Sequence, residues 1–273
     1  YELQRSLLPL GEVTALTSQQ LDLADTAAIR RTVRELAPHR IVNAAAYTAV
    51  DKAENEPELA FAINATAPQV LAEEAQKLNA LLVHYSTDYV FDGSKAGAYV
   101  ETDPTNPQSV YGKSKLAGEQ AIQAVGGHHL IFRTSWVYGT RGKNFLLTIL
   151  RLAKERDHLR VVADQIGAPT WCRTIAEATA SVVSKWDTKK SGLYHLSCGD
   201  QTSWHGFAQA ILQNYPYQLK AGADDVEAIT TEQYPTPAKR PANSVLDNAE
   251  LARDFGLTMP NWHGALRLAM EEA

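Results

Sequence analysis

Cysteine is nearly absent: Cys172 and Cys198 are the two in 273 residues. Neither belongs to a CxxC pair or sits beside a histidine cluster, so the spacing offers no metal ligand set and no metal is expected. Both read as plain thiols in a reducing cytoplasm. Basic charge is also short, with 26 Lys and Arg against 31 Asp and Glu and a formal net charge of -5. A nucleic-acid footprint needs the opposite balance, so the expected partner is a small molecule and not a nucleic acid. No apolar run approaches the roughly 20 residues that cross a bilayer, and no charged-then-apolar leader is seen. A soluble, cytoplasmic protein with no membrane partner is therefore expected. Fixed-period repeats, low-complexity stretches and Gly/Ser linkers are missing too. The opening residue is Tyr1 and not Met, and Tyr1 to Leu8 already reads as helix with Leu3, Leu7 and Leu8 on one side. Residues upstream of it are expected.

What is present suits a large core: 45% of the chain is hydrophobic and 21% charged. That length is near the upper limit for one domain, so one large domain or two intimate lobes are both allowed. Short apolar runs alternate with segments of helical period. Val13 to Leu16 reads as strand and Thr26 to Leu36 as helix, with Ile29, Val33 and Leu36 facing one way. Arg40 to Ala44, Ala80 to Ser86 and His129 to Thr134 read as strands, separated by helices over Glu56 to Leu78 and Val110 to Val125. Parallel strands need a crossover to return, so the expected fold class is α/β, a doubly wound parallel Rossmann sheet with helices on both faces. Beyond Gly139 the rhythm loosens: a helix near Asn144 to Glu155, a strand near Leu159 to Val162, the loop Asp164 to Thr170, another helix, and then Pro216, Pro235, Pro237 and Pro241. The expected division is a dinucleotide-binding domain over 1–138 and a smaller C-terminal substrate-binding lobe over 139–273, partly interleaved with it. Its loops would close over the carboxyl ends of the strands, where ligands bind in open α/β folds.

Tyr111 and Lys115 stand four residues apart at a helix start and so share one face. A free tyrosine, with a pKa near ~10, holds its proton tightly at neutral pH, and a neighbouring ammonium stabilises the phenolate. A pair with this spacing taken alone is more often an ordinary exposed helix face. Ser86-Thr-Asp-Tyr-Val-Phe91 follows directly on an apolar strand, placing hydroxyls at the carboxyl edge of the sheet. Thr87 there could donate to the carbonyl oxygen that receives the Tyr111 proton, or could simply cap a turn. After the preceding strand, Asn43-Ala-Ala-Ala-Tyr47 offers small side chains over which a flat cofactor could lie, or which could serve tight helix–strand packing. His84, His195 and His205 lie in apolar or scattered contexts and receive no role.

Taken together, VNAAAYTAVDKAE (Val42 to Glu54), HYSTDYVFDG, VYGKSKLAGE, FRTSWVYG, DQIGAPT and RPANSVLD resemble the dTDP-4-dehydrorhamnose reductase family of extended short-chain dehydrogenases, through nearly the whole chain. The resemblance implies reduction of the C4 ketone of dTDP-4-dehydro-L-rhamnose, giving dTDP-L-rhamnose for cell-surface polysaccharide such as the O-antigen of lipopolysaccharide. The hydride would come from NADPH or NADH. Carried over, Tyr111 is the proton donor, Lys115 holds the nicotinamide ribose and depresses the Tyr111 pKa, and Thr87 orients the ketone. Asp22 and Leu23 match an adenine-contacting pair, while Ala45, Ala46 and Thr48 line the cofactor track. Trp136, Thr87 and Asp88 fall on the dTDP-sugar, and Arg240 suits its pyrophosphate, since a guanidinium offers paired donors to phosphate oxygens. Plain core packing for Trp136, a helix cap for Asp22 and a solvated surface for Arg240 are the alternatives.

The sequence departs from the family pattern in three places. The Gly-rich pyrophosphate loop expected immediately before the first helix is not in the sequence. Leu16 to Leu21, LTSQQL, has no acidic residue to read the adenosine ribose, so NADPH and NADH stay undivided. In family members that dimerise through glutamates sharing magnesium, Glu2 matches one such position, but Arg173 stands where another glutamate is expected. The resemblance therefore gives no bridging metal, and monomer and homodimer both stand. The competing readings are another nucleotide-sugar reductase, epimerase or dehydratase, with Asp88 beside Thr87 keeping the last open, and a non-catalytic subunit resembling the β subunit of methionine adenosyltransferase.

Overall fold

A computed structural model describes residues 1–272. Four parallel strands form the main sheet in the order Arg40–Asn43, Leu81–Thr87, His129–Thr134 and Gly192–His195. Side chains alternate across a strand, and both faces are covered. Leu81, Val83, Leu130 and Phe132 point to one side, where Ile175, Ala178 and Val182 of the Cys172–Lys185 helix meet them. Leu82 and Ile131 point to the other, against the Thr26–Leu36, Ala67–Lys77 and Val110–Val125 helices. Burial on both faces is why these strands read as continuous apolar runs.

The expected strand over Val13 to Leu16 is not formed; those residues have no strand partner, and Leu16 is exposed. A strand exists through its ladder, and an apolar run alone does not make one. The Arg40–Asn43 strand is an edge of the sheet, and burial along it rises from exposed Arg40 to buried Asn43. The long helix expected over Glu56 to Leu78 is Pro57–Phe61 and Ala67–Lys77 joined by a π-helical turn at Ala62–Thr66. Such turns are frequent at functional sites.

Residues after Gly139 build a second core around the Phe145–Glu155, Trp204–Asn214 and Trp262–Met270 helices and the parallel pair Leu159–Val162 and Val226–Ile229. The chain also returns from there to the main sheet, supplying its fourth strand and the Cys172–Lys185 helix. The loop Asp164 to Thr170 is ordered by short pairings: Ile166–Gly167 with Thr202–Ser203, and Thr170–Trp171 with Val137–Tyr138.

The Val110–Val125 helix is held at its start and along its buried face. Ser109 caps it by accepting from the Gly112 N–H at 3.1 Å, and the Glu54 carboxylate accepts from the Val110 N–H at 2.8 Å. An anion at a helix N-terminus is favourable. Gly112 and Gly118 allow close approach, since a Cβ at either would overlap the carbonyl oxygen of Tyr89 or of Asn64. Deeper in, Glu119 takes two hydrogen bonds from Arg133, at 3.0 and 2.7 Å, and one from the Ser86 hydroxyl. The Glu119 and Arg133 side chains are 1% and 4% exposed. Removing one member of such a pair strands a buried charge. Glu119→Ala is expected to lower stability by about 3–5 kcal/mol, read as a fall in the urea unfolding midpoint. The double change Glu119→Leu with Arg133→Met should recover most of it.

Candidate active site

The carboxyl ends of the Leu81–Thr87 and His129–Thr134 strands lie in register, Thr87 opposite Thr134. Tyr111 comes to this edge because Gly112 lets the helix start press against the Tyr89 backbone. The Tyr111 ring meets the Tyr89 ring edge-on at 5.5 Å between centroids, and its hydroxyl lies near Thr87. Burial pushes the Tyr111 hydroxyl up to about 12, Thr87 opposing and the Asp88 charge adding. It therefore carries its proton at neutral pH. The expectation that Lys115 depresses this pKa is not met. The Lys115 ammonium donates to the Tyr85 carbonyl at 2.5 Å and contacts His84 Nε2 at 3.1 Å, and desolvation dominates at Tyr111.

Lys115 is 1% exposed and forms no ion pair among the described residues. Burial pulls its ammonium down to about 8, with the Glu119 carboxylate pulling the other way. Thr87 Oγ1 donates to Asp88 Oδ1 at 3.0 Å and accepts from the Tyr89 N–H at 3.2 Å. Asp88 is 3% exposed, and its Oδ2 has no hydrogen-bond partner among the described residues. Burial raises its carboxyl to about 6, with Ser244 and Thr87 pulling it back.

Two features that the sequence did not reveal hold the surroundings. Asn64, fully buried in the π turn, accepts from the Tyr47 N–H at 2.8 Å and donates to the Tyr47 carbonyl and the Ser114 hydroxyl, each at 3.0 Å. Ser114 in turn donates to the Tyr111 carbonyl at 2.8 Å, so one amide ties the backbone at Tyr47, just past the Ala44 to Ala46 segment, to the Tyr111 helix. Asp51 is the second. It takes both Arg240 Nη atoms, at 3.1 and 2.9 Å, and the guanidinium holds its carboxyl below the usual range. Arg240 is thus already engaged and is not a free surface cation. No local pattern announces either contact, since the Arg240 partner is 189 residues away in the chain.

The remaining expected residues fall as follows. Ala45 and Thr48 are exposed and Ala46 half-buried, just past the Arg40–Asn43 strand. Exposed Asp22 accepts from the Ala24 N–H at 2.9 Å, and Leu23 packs partly against the Ile29 and Val33 cluster. Neither hydrogen-bonds to Thr87, Tyr111 or Lys115. Trp136 lies two residues beyond Thr134, in a left-handed conformation at φ 49, stacked on Trp204 at 3.6 Å between centroids. His195 Nδ1 contacts the Tyr99 carbonyl at 3.1 Å, and His205 Nε2 contacts the Val226 carbonyl at 2.9 Å. Glu2 is covered by cations: its carboxylate accepts from Arg173 Nε at 2.8 Å, with Arg141 at 3.6 Å and Arg5 at 3.7 Å.

The RmlD substrate binding domain model matches residues 1–273. A dTDP-4-dehydrorhamnose reductase of Burkholderia thailandensis is 47% identical, the alignment covering 100% of this chain and 94% of that protein. The chain belongs to the dTDP-4-dehydrorhamnose reductase family. The Salmonella typhimurium member is 46% identical over 100% of this chain and 93% of its own length. The crystal structure of the Bacillus anthracis reductase in complex with NADP superposes with a TM-score of 0.93 at 36% identity, covering 100% of this chain and 94% of that one. Family membership and the doubly wound fold expected from the motifs are both borne out.

Asp88 has a consequence for stability. A carboxyl whose folded pKa is raised contributes fully below its unfolded value, near ~3.9, and loses that contribution as pH rises through the folded value. The window here runs from about 4 up to about 6. Asp88→Asn is therefore expected to be more stable than the parent at pH 7.5, by roughly 2–3 kcal/mol. Thermal melts across pH should show the gap closing toward pH 4, and a gap independent of pH would refute the assignment.

Proposed function

We propose that this chain reduces the C4 ketone of dTDP-4-dehydro-L-rhamnose to dTDP-L-rhamnose, using NADPH or NADH. The observation that carries the reading is the convergence of Tyr111, Thr87 and the buried Lys115 ammonium at the carboxyl end of a parallel sheet, in a chain 47% identical to a reductase of that name. The nicotinamide end of the cofactor fits what is there. Lys115 keeps an N–H beyond its two inner contacts, and Ala44 to Ala46 present little side chain. The Gly-rich turn is expected ahead of the first helix, Glu2–Leu7, and none of residues 1–273 is given the pyrophosphate.

When bound, the reduced nicotinamide supplies the hydride. Tyr111 gives its phenolic proton to the oxygen that becomes the C4 hydroxyl, and Thr87 turns its one O–H from Asp88 to the same oxygen and orients the ketone. Lys115 holds the ribose and offsets the charge that Tyr111 acquires as its proton leaves. Ala45, Ala46 and Thr48 line the cofactor track, with Asp22 and Leu23 at the adenine end. Asp88 and Trp136 bound the sugar. Arg240 meets the pyrophosphate of the dTDP-sugar while Asp51 orients its guanidinium. Residues 1–138 form the dinucleotide-binding part and 139–273 mainly the substrate lobe. The two free thiols, one buried, suit a reducing cytoplasm, and no described helix is long and apolar enough to cross a membrane.

The test follows absorbance of NADPH, and separately NADH, with the 4-keto nucleotide-sugar generated in place by the upstream dehydratase and epimerase. Tyr111→Phe is expected to cut kcat by about 10²–10⁴-fold while leaving cofactor affinity within a factor of a few. Measurable dinucleotide binding with no oxidation of either cofactor would sink the reductase reading in favour of a non-catalytic subunit.

A further inference from the structure

His84 sits in the middle of a buried polar line. It is 1% exposed, with Nε2 3.1 Å from Lys115 Nζ and Nδ1 3.1 Å from Asn43 Nδ2. Asn43 is its direct neighbour across the sheet, paired with it in register, and is itself buried. The Tyr85 carbonyl takes a second Lys115 N–H. Two of the three ammonium donors are thus engaged on the inner side by uncharged groups.

The other charged and titratable groups nearby are committed elsewhere. Glu119, one turn on along the helix, is held by Arg133 and Ser86. The Tyr85 hydroxyl turns to the opposite face of the strand, 2.7 Å from Thr179. Tyr111 lies near Thr87, and Thr87 donates to Asp88. Among the described residues the His84 imidazole is the sole side-chain partner of the Lys115 ammonium.

We propose that His84, backed by Asn43, is the positioning residue for Lys115: its Nε2 accepts one ammonium N–H, anchors the head group to the strand and keeps it charged, leaving the third N–H for the ligand. The proposal rests on the reductase reading, in which the charge and placement of Lys115 matter. A carboxylate in the place of His84 would hold the ammonium as an ion pair and compete with the ribose for it. A neutral imidazole orients it without that competition. Burial and the neighbouring Lys115 charge together keep His84 well below its ordinary pKa, so the ring stays neutral and able to accept.

A neutral imidazole has one donor and one acceptor, which couples the three residues. While Lys115 is an ammonium donating to Nε2, the ring proton is on Nδ1, and the Asn43 amide has to turn its oxygen toward it, giving up the Ala45 N–H that this oxygen accepts at 3.3 Å. If Lys115 loses its proton, Nε2–H can donate to the free amine, and Nδ1 then accepts from the Asn43 nitrogen. A half-turn of the amide separates the two states, and the orientation with its nitrogen toward Nδ1 also keeps the long 3.3 Å bond from the Ala45 N–H to its oxygen. The ring tautomer therefore reports the charge on Lys115.

The experiment has two arms on the full chain. The first measures kcat/KM against pH for NADPH oxidation with the 4-keto nucleotide-sugar, in the parent, His84→Leu and His84→Gln. His84→Leu deletes the acceptor and should shift the alkaline limb down by about one pH unit, with about a fivefold loss near pH 8 that approaches tenfold at higher pH. His84→Gln places an amide oxygen near the Nε2 position and should restore the limb. The second arm follows the His84 ring nitrogens by 15N NMR without substrate, and expects an Nδ1–H tautomer at neutral pH that gives way to Nε2–H as Lys115 deprotonates. A limb that stays in place in His84→Leu, even with lower overall activity, would mean that His84 only fills space and would overturn the proposal. So would a ring tautomer that ignores pH. If His84→Leu does not fold, the His84→Gln profile and the titration decide. Should the parent oxidise no cofactor, the reductase reading falls, whereas the titration still reports the Lys115–His84 contact, so the two failures are distinguishable.

Discussion

The register of the Val110–Val125 helix against the sheet depends on the buried pair of Glu119 and Arg133. Tyr111, Lys115 and Glu119 recur every fourth residue and form one stripe; Lys115 and Glu119 meet His84 and Ser86 on one face of the neighbouring strand, and Tyr111 reaches the strand end near Thr87. A slip by one turn, about 5.4 Å, would bury both charges without partners. Such a pair adds little net stability over apolar residues, but it penalises every other register. The acid at the outer end of the stripe is thus aimed by an ion pair at the inner end. The two helix glycines work in the same direction, since each permits a backbone contact that a methyl group would block.

Around that fixed helix the protein tolerates costs that a purely structural core would shed. Lys115 is a buried cation with no carboxylate on it, and Asp88 is a buried acid with one bare oxygen. Burial moves the first down to about 8 and the second up to about 6, so both approach the neutral range from opposite sides. Convergence of this kind at the carboxyl edge of a parallel sheet is what proton chemistry requires. Tyr111, by contrast, is pushed away from neutrality. In the proposed reduction, an acid held that tightly would transfer its proton only as the ketone oxygen gains negative charge, so that proton transfer is coupled to hydride arrival and does not precede it.

Much of this was legible in the sequence because the signals were local. The Thr26–Leu36, Val110–Val125 and His129–Thr134 elements have the bounds that their periodicity predicts. Tyr111, Lys115 and Thr87 could be singled out because helix spacing and strand-end placement are properties of a few consecutive residues. Val13 to Leu16 failed for the converse reason, since a strand needs a partner and an apolar run does not supply one. The π turn at Ala62–Thr66 breaks no pattern of hydrophobicity, so Asn64 looked like any helical asparagine. His84 was passed over because an imidazole in an apolar strand looks like packing until Lys115 is seen beside it. The Asp51–Arg240 and Trp136–Trp204 contacts join distant segments and leave no trace in either segment alone.

Those last contacts explain how the later half of the chain is drawn over the sheet edge. Trp136 adopts a left-handed backbone that costs a non-glycine residue roughly 1–2 kcal/mol. In that conformation its ring lies flat on Trp204, and a Cβ on Gly167 would overlap it. The Trp136 carbonyl also accepts from the Thr170 N–H at 3.1 Å, so the same turn fixes the Asp164 to Thr170 loop. That loop carries Ile166, which exchanges backbone hydrogen bonds of 2.8 Å with Ala242 and Ser244. The segment after Arg240 is thereby laid beside Asp88, while Arg240 itself is held from the other half by Asp51. A strained residue at the end of one strand is thus the first link in a chain of contacts that ends at the buried acid on the next.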